Sequence, residues 1–302
     1  MDESVFLRAK RFVLQRARPI DHARWCFHFE GARAKTVLDV LAQYQNSDGG
    51  FGHGLEADFW NPESSPMQTW AATEIVHEVH AASHHPIVTG ILRYLESQAH
   101  FDGHSWSRTI PSNNDHPHAE WWTHEAAETP GYNPTASLAG FALRYTKAGS
   151  PMYQLAVRLA NEAFETLLAA ASIEVHELSC FQRLFTCASK AGAKLTDLGP
   201  VKTKLHRLIN ESITRDTSTW KTGYVCRPSR FIRSRDDELY RENAELVDFE
   251  KRFLEESQLD DGSWPVNWHW ANYPNEWPIA QGWWKSVVVI ENLLFLSGFT
   301  GR

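Results

Sequence analysis

The chain has few of the features that mark a membrane protein or a nucleic-acid-binding protein. Of its 302 residues, 30 are Lys or Arg and 37 are Asp or Glu, which gives a formal net charge of −7. No block of basic residues supplies the positive charge that binds nucleic-acid phosphates. The longest apolar stretch, over 287–296, is interrupted by Glu291 and Asn292, so it is too short to span a bilayer. We therefore expect no nucleic-acid partner and no membrane-spanning segment.

Cysteine is also scarce, and its pattern is uninformative. The four cysteines form no Cys-x-x-Cys pair and have no regular spacing. Acidic residues come first at the N-terminus, and charges interrupt every apolar run there, which does not fit a secretory signal. We expect small apolar core cysteines in the reducing cytoplasm and no metal site, and the sequence indicates no particular cofactor.

Tryptophan and histidine, by contrast, are abundant. The chain has 13 Trp and 15 His but only 3 Met. Tryptophan is large and amphipathic, so this many copies predict an aromatic core, an aromatic cavity, or both.

A short motif recurs along the chain as Gln, a spacer, Asp-Gly and an aromatic residue. It reads Gln-Asn-Ser-Asp-Gly-Gly-Phe at 45–51, Gln-Ala-His-Phe-Asp-Gly-His-Ser-Trp at 98–106 and Gln-Leu-Asp-Asp-Gly-Ser-Trp at 258–264. The Asp-Gly aspartates are separated by 54 and 159 residues, and 159 is three times 53. A degenerate copy without the glycine lies at 215–220. A repeat of this length indicates stacked supersecondary units.

Each motif follows a 3.6-residue apolar pattern and precedes a second helix, which often begins near a proline such as Pro66, Pro134 or Pro278. We predict that the glycine ends the first helix, that the glutamine bonds helix-end backbone groups and that the aromatic residue packs between helices. Segments that are apolar nearly all round, such as 136–142, are predicted to be buried. The pattern favours an all-α fold of ten to twelve helices, arranged over 1–302 as a single α/α-toroid domain of five to six helical hairpins.

The motifs at 45–52 and 258–264 resemble the Gln-Trp repeat of the prenyltransferase, squalene-oxidase and triterpene-cyclase group. The segment 45–66, followed by His116-Pro117-His118 and Trp121-Trp122, is similar to uncharacterised bacterial proteins that carry these repeats. The resemblance implies a toroid with a central, aromatic-lined cavity. The group's catalytic motifs are missing: the chain has no Asp-x-Asp-Asp, no Asp-Asp-x-x-Asp/Glu and no Asp-x-Cys sequence.

Long loops after the motifs, over 52–66, 106–133, 220–235 and 264–279, are predicted to meet at one mouth of the toroid. They supply most of the candidate residues, whose types suit acid–base chemistry and the stacking of a ligand on aromatic rings. The candidate catalytic residues are Glu56, Asp58, His118 and His176, and the candidate substrate-binding residues are Trp60, Trp121, Trp122, Tyr224, Arg227, Trp268 and Trp277.

Each candidate also has a structural interpretation. Glu56 and Asp58 can cap a tight loop, the tryptophans can plug the ring, and Arg227 can form a structural bridge with Glu56 or Asp58 instead of binding a ligand. Glu74, His77 and His80 share one helix, where two imidazoles could bind a metal ion. His80 to His85, however, lie at a helix end before Pro86, and we favour a solvated helix end over a metal site.

Three functions remain open at this point. The first is a cavity enzyme that acts on a hydrophobic, isoprenoid-like molecule by acid-initiated chemistry, with Asp58, Glu56 or His118 as the acid. The second is a carbohydrate-active lyase or hydrolase, and the third is a non-catalytic ligand-binding toroid. The predicted partner is accordingly a hydrophobic small molecule or a glycan.

Overall fold

The computed structural model describes residues 2–125, 131–192 and 195–300. Over these residues the secondary structure consists of eleven α-helices, a few single 3-10 turns and isolated β-bridges, with no β-strand. The predicted all-α class is therefore confirmed. No helix in the described ranges combines the length and the apolar character that crossing a membrane requires.

The eleven helices are α1 (Glu3–Arg16), α2 (Pro19–Phe29), α3 (Ala34–Leu41), α4 (Pro66–Glu78), α5 (Pro86–Glu96), α6 (Thr135–Tyr145), α7 (Pro151–Ala169), α8 (Val175–Ala191), α9 (Leu198–Ser212), α10 (Tyr240–Ser257) and α11 (Trp277–Gly298). Three of the eleven helices, α4, α6 and α11, begin beside the prolines predicted to mark their starts, Pro66, Pro134 and Pro278. Proline occupies the first or second position of several helices, where its fixed φ fits and its missing N–H costs nothing.

The chain forms two compact units. The terminal unit consists of Met1–Val40 and Asn210–Arg302, and the middle unit consists of Leu41–Ile209. The single toroid domain over 1–302 stays a prediction, because it concerns how the two units are arranged.

In the terminal unit, α1 and α2 pack against α11. Trp25 on α2 is completely buried. Its ring stacks on Phe6 of α1 at 5.3 Å between centroids and meets Phe29 at 4.7 Å. Such pairs add specific geometry to the burial of large apolar surfaces, so this aromatic cluster fixes the angle between the two N-terminal helices.

In the middle unit, α6 lies among α4, α5, α7 and α8. Every residue of α6 except Arg144 is buried, which confirms the prediction for 136–142. Small residues permit this close packing, since a Cβ atom on Gly140 would lie 3.1 Å from the Cα atom of Leu184 in α8. A helix that is apolar on nearly all sides is therefore the centre of this unit.

The motif glutamines make the same pair of hydrogen bonds in both units. Gln45 donates from Nε2 to the carbonyl oxygens of Gly49 (3.0 Å) and Ile87 (3.2 Å), and Ile87 lies in the first turn of α5. Gln258 donates to the carbonyl oxygens of Gly262 (3.0 Å) and Val5 (3.0 Å), and Val5 lies in the first turn of α1. Each glutamine thus closes its own turn and binds the turn to a neighbouring helix.

The motif glycines permit this close approach. Gly49 and Gly262 have φ values of 96° and 91°, in the region that favours glycine. A Cβ atom at Gly49 would overlap the carbonyl oxygen of Gly90, and one at Gly262 would overlap the carbonyl oxygen of Arg8. The aromatic residues that follow are buried, as predicted: Phe51 is 0%, Trp106 1% and Trp264 2% exposed.

The middle copy of the motif differs. Gln98 is exposed and has a φ of 55°, whereas the spacing from glutamine to aspartate is one residue longer than in the other copies. Asp102 still accepts hydrogen bonds from the backbone N–H groups of His104 (2.8 Å) and Ser105 (2.7 Å). The turn is therefore kept, but the predicted role of the glutamine is confirmed only for Gln45 and Gln258.

We expect Gln45→Leu and Gln258→Leu each to lower the free energy of unfolding by about 2–4 kcal/mol, because each leaves two backbone carbonyls without their donor. Gln98→Leu is the matched control and should change it by less than about 0.5 kcal/mol. Urea denaturation followed by circular dichroism measures all three. Equal losses in all three variants would show that the glutamine bonds do not stabilise the turns.

Candidate functional site

Two of the predicted loops pair with each other in the middle unit. Trp60 donates its backbone N–H to the carbonyl oxygen of Pro117 (2.9 Å), and Ala119 donates to that of Asp58 (2.8 Å). Phe59 and His118 form the β-bridge between these hydrogen bonds. The structure thus brings together the segments that carry Glu56, Asp58, Trp60, His118, Trp121 and Trp122.

Buried amide side chains hold the first of these loops in place. Gln68 of α4 is fully buried, donates to the carbonyl oxygen of Asn61 (2.8 Å) and accepts from the N–H of Leu55 (2.8 Å). Asn61 is also fully buried and donates to Ser112 Oγ (2.9 Å) and Asn113 Oδ1 (3.0 Å). Because buried amides make these bonds in fixed directions, the loop has a defined conformation.

The candidate acids lie at different depths in this loop. Glu56 accepts the backbone N–H of Asp58 at Oε2 (2.7 Å), which is the turn-capping interaction considered for it. The side chain of Asp58 is 4% exposed. Trp60 is half-buried and donates from Nε1 to the carbonyl oxygen of Ala57 (3.1 Å).

His118 is 5% exposed, and both of its ring nitrogens have partners. Nδ1 donates to the carbonyl oxygen of His116 (2.6 Å), and Nε2 lies 3.0 Å from the hydroxyl of Thr123. Because the carbonyl can only accept, the proton of the neutral ring is on Nδ1, and Nε2 is left as the acceptor.

The two adjacent tryptophans have different surroundings. Trp122 is 8% exposed and meets Phe59 at 5.2 Å between ring centroids, so it packs under the paired loops. Trp121 is 40% exposed and presents its ring to solvent. His176 lies elsewhere in the middle unit, in the first turn of α8, where Nδ1 is 2.7 Å from Glu174 Oε1.

The other candidates belong to the terminal unit, where a cavity of about 350 Å³ is present. Its wall is formed by segment 220–227, the C-terminal end of α10, segment 258–265 with the last motif, the following loop and α11. The lining includes Tyr224, Arg227 and Trp268, three of the predicted substrate-binding residues. Trp277 is not part of this lining; it is 6% exposed and packs on Trp270 and His269.

Aromatic contacts shape the open side of this cavity. Trp268 meets Tyr224 edge-on at 5.6 Å between centroids and Trp284 at 5.1 Å. Tyr224 is 60% exposed, so it lies at the mouth. Asn267 donates from Nδ2 to the carbonyl oxygen of Gly223 (3.0 Å) and binds the two wall segments together.

Arg227 pairs with a buried carboxylate, Glu250, and not with Glu56 or Asp58 as predicted. Its Nε lies 3.4 Å from Oε1 of Glu250, which is completely buried on α10. Glu250 also accepts the backbone N–H (2.9 Å) and the hydroxyl (2.6 Å) of Ser229. Burial raises the pKa of Glu250, while Arg227 and Ser229 act in the opposite direction. The guanidinium also lies over the ring of Phe253 at 5.7 Å.

Sequence analysis missed the residues of α10 and α11 that line this cavity, in particular Ser257 and Asn292. Both lie in segments that read as ordinary helix. One signal was available, because Asn292 interrupts an otherwise apolar run and is 4% exposed in the structure. A buried amide among aliphatic residues is a reason to look for a bonding partner.

A second unexpected feature is the histidine of α4. His77 is 5% exposed and lies against Phe141 (5.6 Å) and Tyr145 (5.7 Å) of α6. Both of its nitrogens and the Tyr145 hydroxyl lack a hydrogen-bond partner within the described ranges. Burial and the positive charges of Arg183 and Arg144, with smaller effects of His80 and Lys190, lower the pKa of His77 from 6.5 to about 3.

The solvated helix end predicted for His80 to His85 fits His80 and His84, which are exposed, whereas His77, one turn earlier, is buried. Glu74 is not its partner either, because that carboxylate accepts from Arg183 of α8 (Nε at 3.0 Å). No group of three or more His, Cys, Asp or Glu side chains in the described part of the chain is arranged to hold a metal ion.

Because the pKa of His77 is about 3 in the folded state and 6.5 is its ordinary value, the unfolded chain binds more protons between these pH values. The folded state therefore loses up to about 1.4 kcal/mol per pH unit as the pH falls through this window. We expect His77→Leu to lack this loss, so the variant should gain stability relative to the wild type from pH 7 to pH 4.5.

Urea denaturation at several pH values measures this difference. His84→Leu is the control, because His84 is exposed in the turn after α4, and it should follow the wild-type pH profile. Parallel curves for the wild type and His77→Leu would contradict a neutral, buried His77.

Comparison with protein-family models finds no matching family, and comparison with curated proteins and with solved structures finds no match either. The resemblance to the Gln-Trp repeat therefore stays a prediction based on the motif residues. The cavity of the terminal unit and the paired loops of the middle unit are the features from which a function can be inferred.

Proposed function

We propose that the protein binds a small, largely apolar molecule of isoprenoid-like character in the cavity of the terminal unit. The observation that carries this proposal is the cavity itself: about 350 Å³ with Phe253, Leu259, Val288 and the half-buried Trp268 in its lining, backed by the nearly buried Trp220 and Trp264. Ligand sites are concave, mostly apolar and usually between 300 and 1,000 Å³. This cavity is at the small end of that range, which suits a molecule of about ten to fifteen carbon atoms.

The wall is both preformed and accessible. Trp220 and Trp264 are each 2% exposed. Trp220 is fixed by a hydrogen bond from Nε1 to the carbonyl oxygen of Thr214 (3.1 Å), and Trp264 by one to that of Leu254 (2.8 Å). Tyr224 is exposed at the mouth. An apolar ligand gains roughly 25 cal/mol for each Å² that it removes from water, and a fixed wall lowers the entropy cost of binding.

A glycan fits this lining less well. Sugars stack on accessible indole faces, whereas two of the three indoles are almost completely buried. Hydrolysis of a glycan also needs two carboxylates across the cleft. Glu256 is the carboxylate of the described lining, because Glu250 lies behind Arg227 and is completely buried.

Acid-initiated chemistry on such a molecule is the second candidate. The paired loops of the middle unit favour it, because they hold two titratable side chains, Asp58 and His118, that are only 4% and 5% exposed. Carboxyl and imidazole side chains are the usual general acids and bases of enzymes. The relation to the Gln-Trp repeat proteins is likewise part of the proposal and is supported by the identical contacts of Gln45 and Gln258.

Geraniol, a ten-carbon isoprenoid alcohol, is a direct probe of this proposal. We expect it to quench the tryptophan fluorescence of the wild type and to raise its unfolding temperature, because a ligand that binds only the folded state stabilises that state. Val288→Phe replaces a small aliphatic side chain by a phenyl ring that fills part of the cavity, and should weaken geraniol binding at least about tenfold.

Val287→Phe is the matched control, since Val287 is the adjacent valine on α11 and, like Val288, is half-buried, but does not line the cavity. It should leave the affinity within about twofold. Maltose, tested in parallel, should neither quench the fluorescence nor compete. Failure of geraniol to bind, or competition by maltose, would contradict the proposed function.

A further inference from the structure

Arg227 has hydrogen-bond donors that the fold does not use. Its Nε lies 3.4 Å from Oε1 of the buried Glu250. Neither of its two terminal amino groups donates a hydrogen bond to a residue in the described part of the chain. A guanidinium group carries five N–H donors in a planar fork, and most of them belong to these terminal groups. Arg227 can therefore bind a second partner beside Glu250.

These donors are accessible at the cavity of the terminal unit. The Arg227 side chain is 26% exposed and is part of the cavity lining. Its guanidinium lies over the ring of Phe253, another lining residue, at 5.7 Å. The terminal nitrogens of Arg227 are not sealed off by the fold, in contrast to an unpartnered buried atom such as Nε1 of Trp268. A ligand in the cavity can therefore reach them.

The guanidinium is also held in place before a ligand arrives. Glu250, which faces its Nε, accepts the hydroxyl of Ser229 at Oε1 and the backbone N–H of Ser229 at Oε2, so both carboxylate oxygens are fixed. A charged group with a fixed position loses little conformational entropy on binding. Lys221, another cation of the lining, is exposed, and its flexible ammonium is strongly hydrated. Arg227 is therefore the better anion-binding group of the two.

The charges of the lining favour a ligand with one negative charge. In the described lining, Arg227 and Lys221 are the cations and Glu256 is an exposed carboxylate. A diphosphate carries several negative charges, which need several cations or a bound metal ion to balance them. A carboxylate carries one negative charge, and its two oxygens match the planar fork of a single guanidinium.

We propose that the ligand of this cavity is an apolar monocarboxylic acid. The terminal amino groups of Arg227 bind its carboxylate, and its hydrocarbon chain lies against Phe253, Leu259 and Val288. This inference rests on the proposed function and adds the chemistry of the head group. It makes Arg227 the residue that distinguishes an acid from an alcohol with the same chain.

Geranic acid, geraniol and geranyl diphosphate share one ten-carbon chain and differ in the head group. Quenching of tryptophan fluorescence at neutral pH, where the acid is ionised, gives their affinities for the wild type and for Arg227→Gln. We expect the wild type to bind geranic acid at least about tenfold more tightly than geraniol or geranyl diphosphate, because hydrogen bonds to charged groups are the stronger ones. In Arg227→Gln the preference for the acid over geraniol should disappear, while the affinity for geraniol stays within about twofold.

Arg230→Gln is the matched control. Arg230 ends the 3-10 turn that follows Arg227, is exposed and lies outside the lining, so its loss removes the same charge and should keep the full preference for geranic acid. Arg227→Lys is the second variant if Arg227→Gln does not fold, because its ammonium keeps a positive charge beside Glu250. An ammonium cannot offer two parallel N–H donors to a carboxylate, so the preference should fall at least about threefold.

The outcomes that overturn this inference differ from those that overturn the proposed function. Equal binding of geranic acid and geraniol by the wild type, tighter binding of geranyl diphosphate than of geranic acid, or an unchanged preference in the Arg227 variants shows that Arg227 does not select a carboxylate, while the cavity is still a ligand site. Absence of binding by all three probes overturns the proposed function and this inference together.

Discussion

The hydrogen bonds of two glutamine side chains organise the fold more than any other single interaction. In each Asp-Gly turn the carbonyl oxygen of the glycine needs a donor, and a neighbouring helix packs closely against that turn. A glutamine amide meets both needs, because its two N–H bonds reach one carbonyl in its own turn and one in the neighbouring helix. Glycine is then required next to the contact, since a Cβ atom would collide with the backbone of the helix that the glutamine holds. Sequence motif and helix packing are thus one constraint.

This constraint explains which parts of the structure could be predicted from the sequence. The helices, the buried aromatic residues of the motifs and the largely apolar α6 follow from local patterns, because helix periodicity, proline and glycine act over a few residues. The pairing of the loop at 53–61 with the segment at 116–123 also agrees with the expectation that these loops meet. The role of Gln98 could not be predicted, since one additional residue in its turn places the side chain in solvent.

The candidate site was harder to predict, for a different physical reason. Loops that contain many tryptophan and histidine residues are easily identified in a sequence as candidate site segments. A cavity wall, however, also includes the faces of helices. Ser257 and Asn292 lie on helices whose sequence patterns are those of ordinary surface and core helices. Only the three-dimensional structure shows that both residues are part of the lining of the cavity. His77 shows the converse: its spacing from His80 suggested a possible metal-binding pair, whereas the packing of α4 on α6 buries it among aromatic rings.

The terminal unit is built from both ends of the chain, since α1 and α2 pack on α11 and the last motif bonds to α1. The middle unit is continuous in sequence. During synthesis on the ribosome, α1 and α2 therefore leave the exit tunnel long before the helix that covers their apolar faces exists. The continuous middle unit can therefore fold before the terminal unit, whose two parts come together only after α11 has been made.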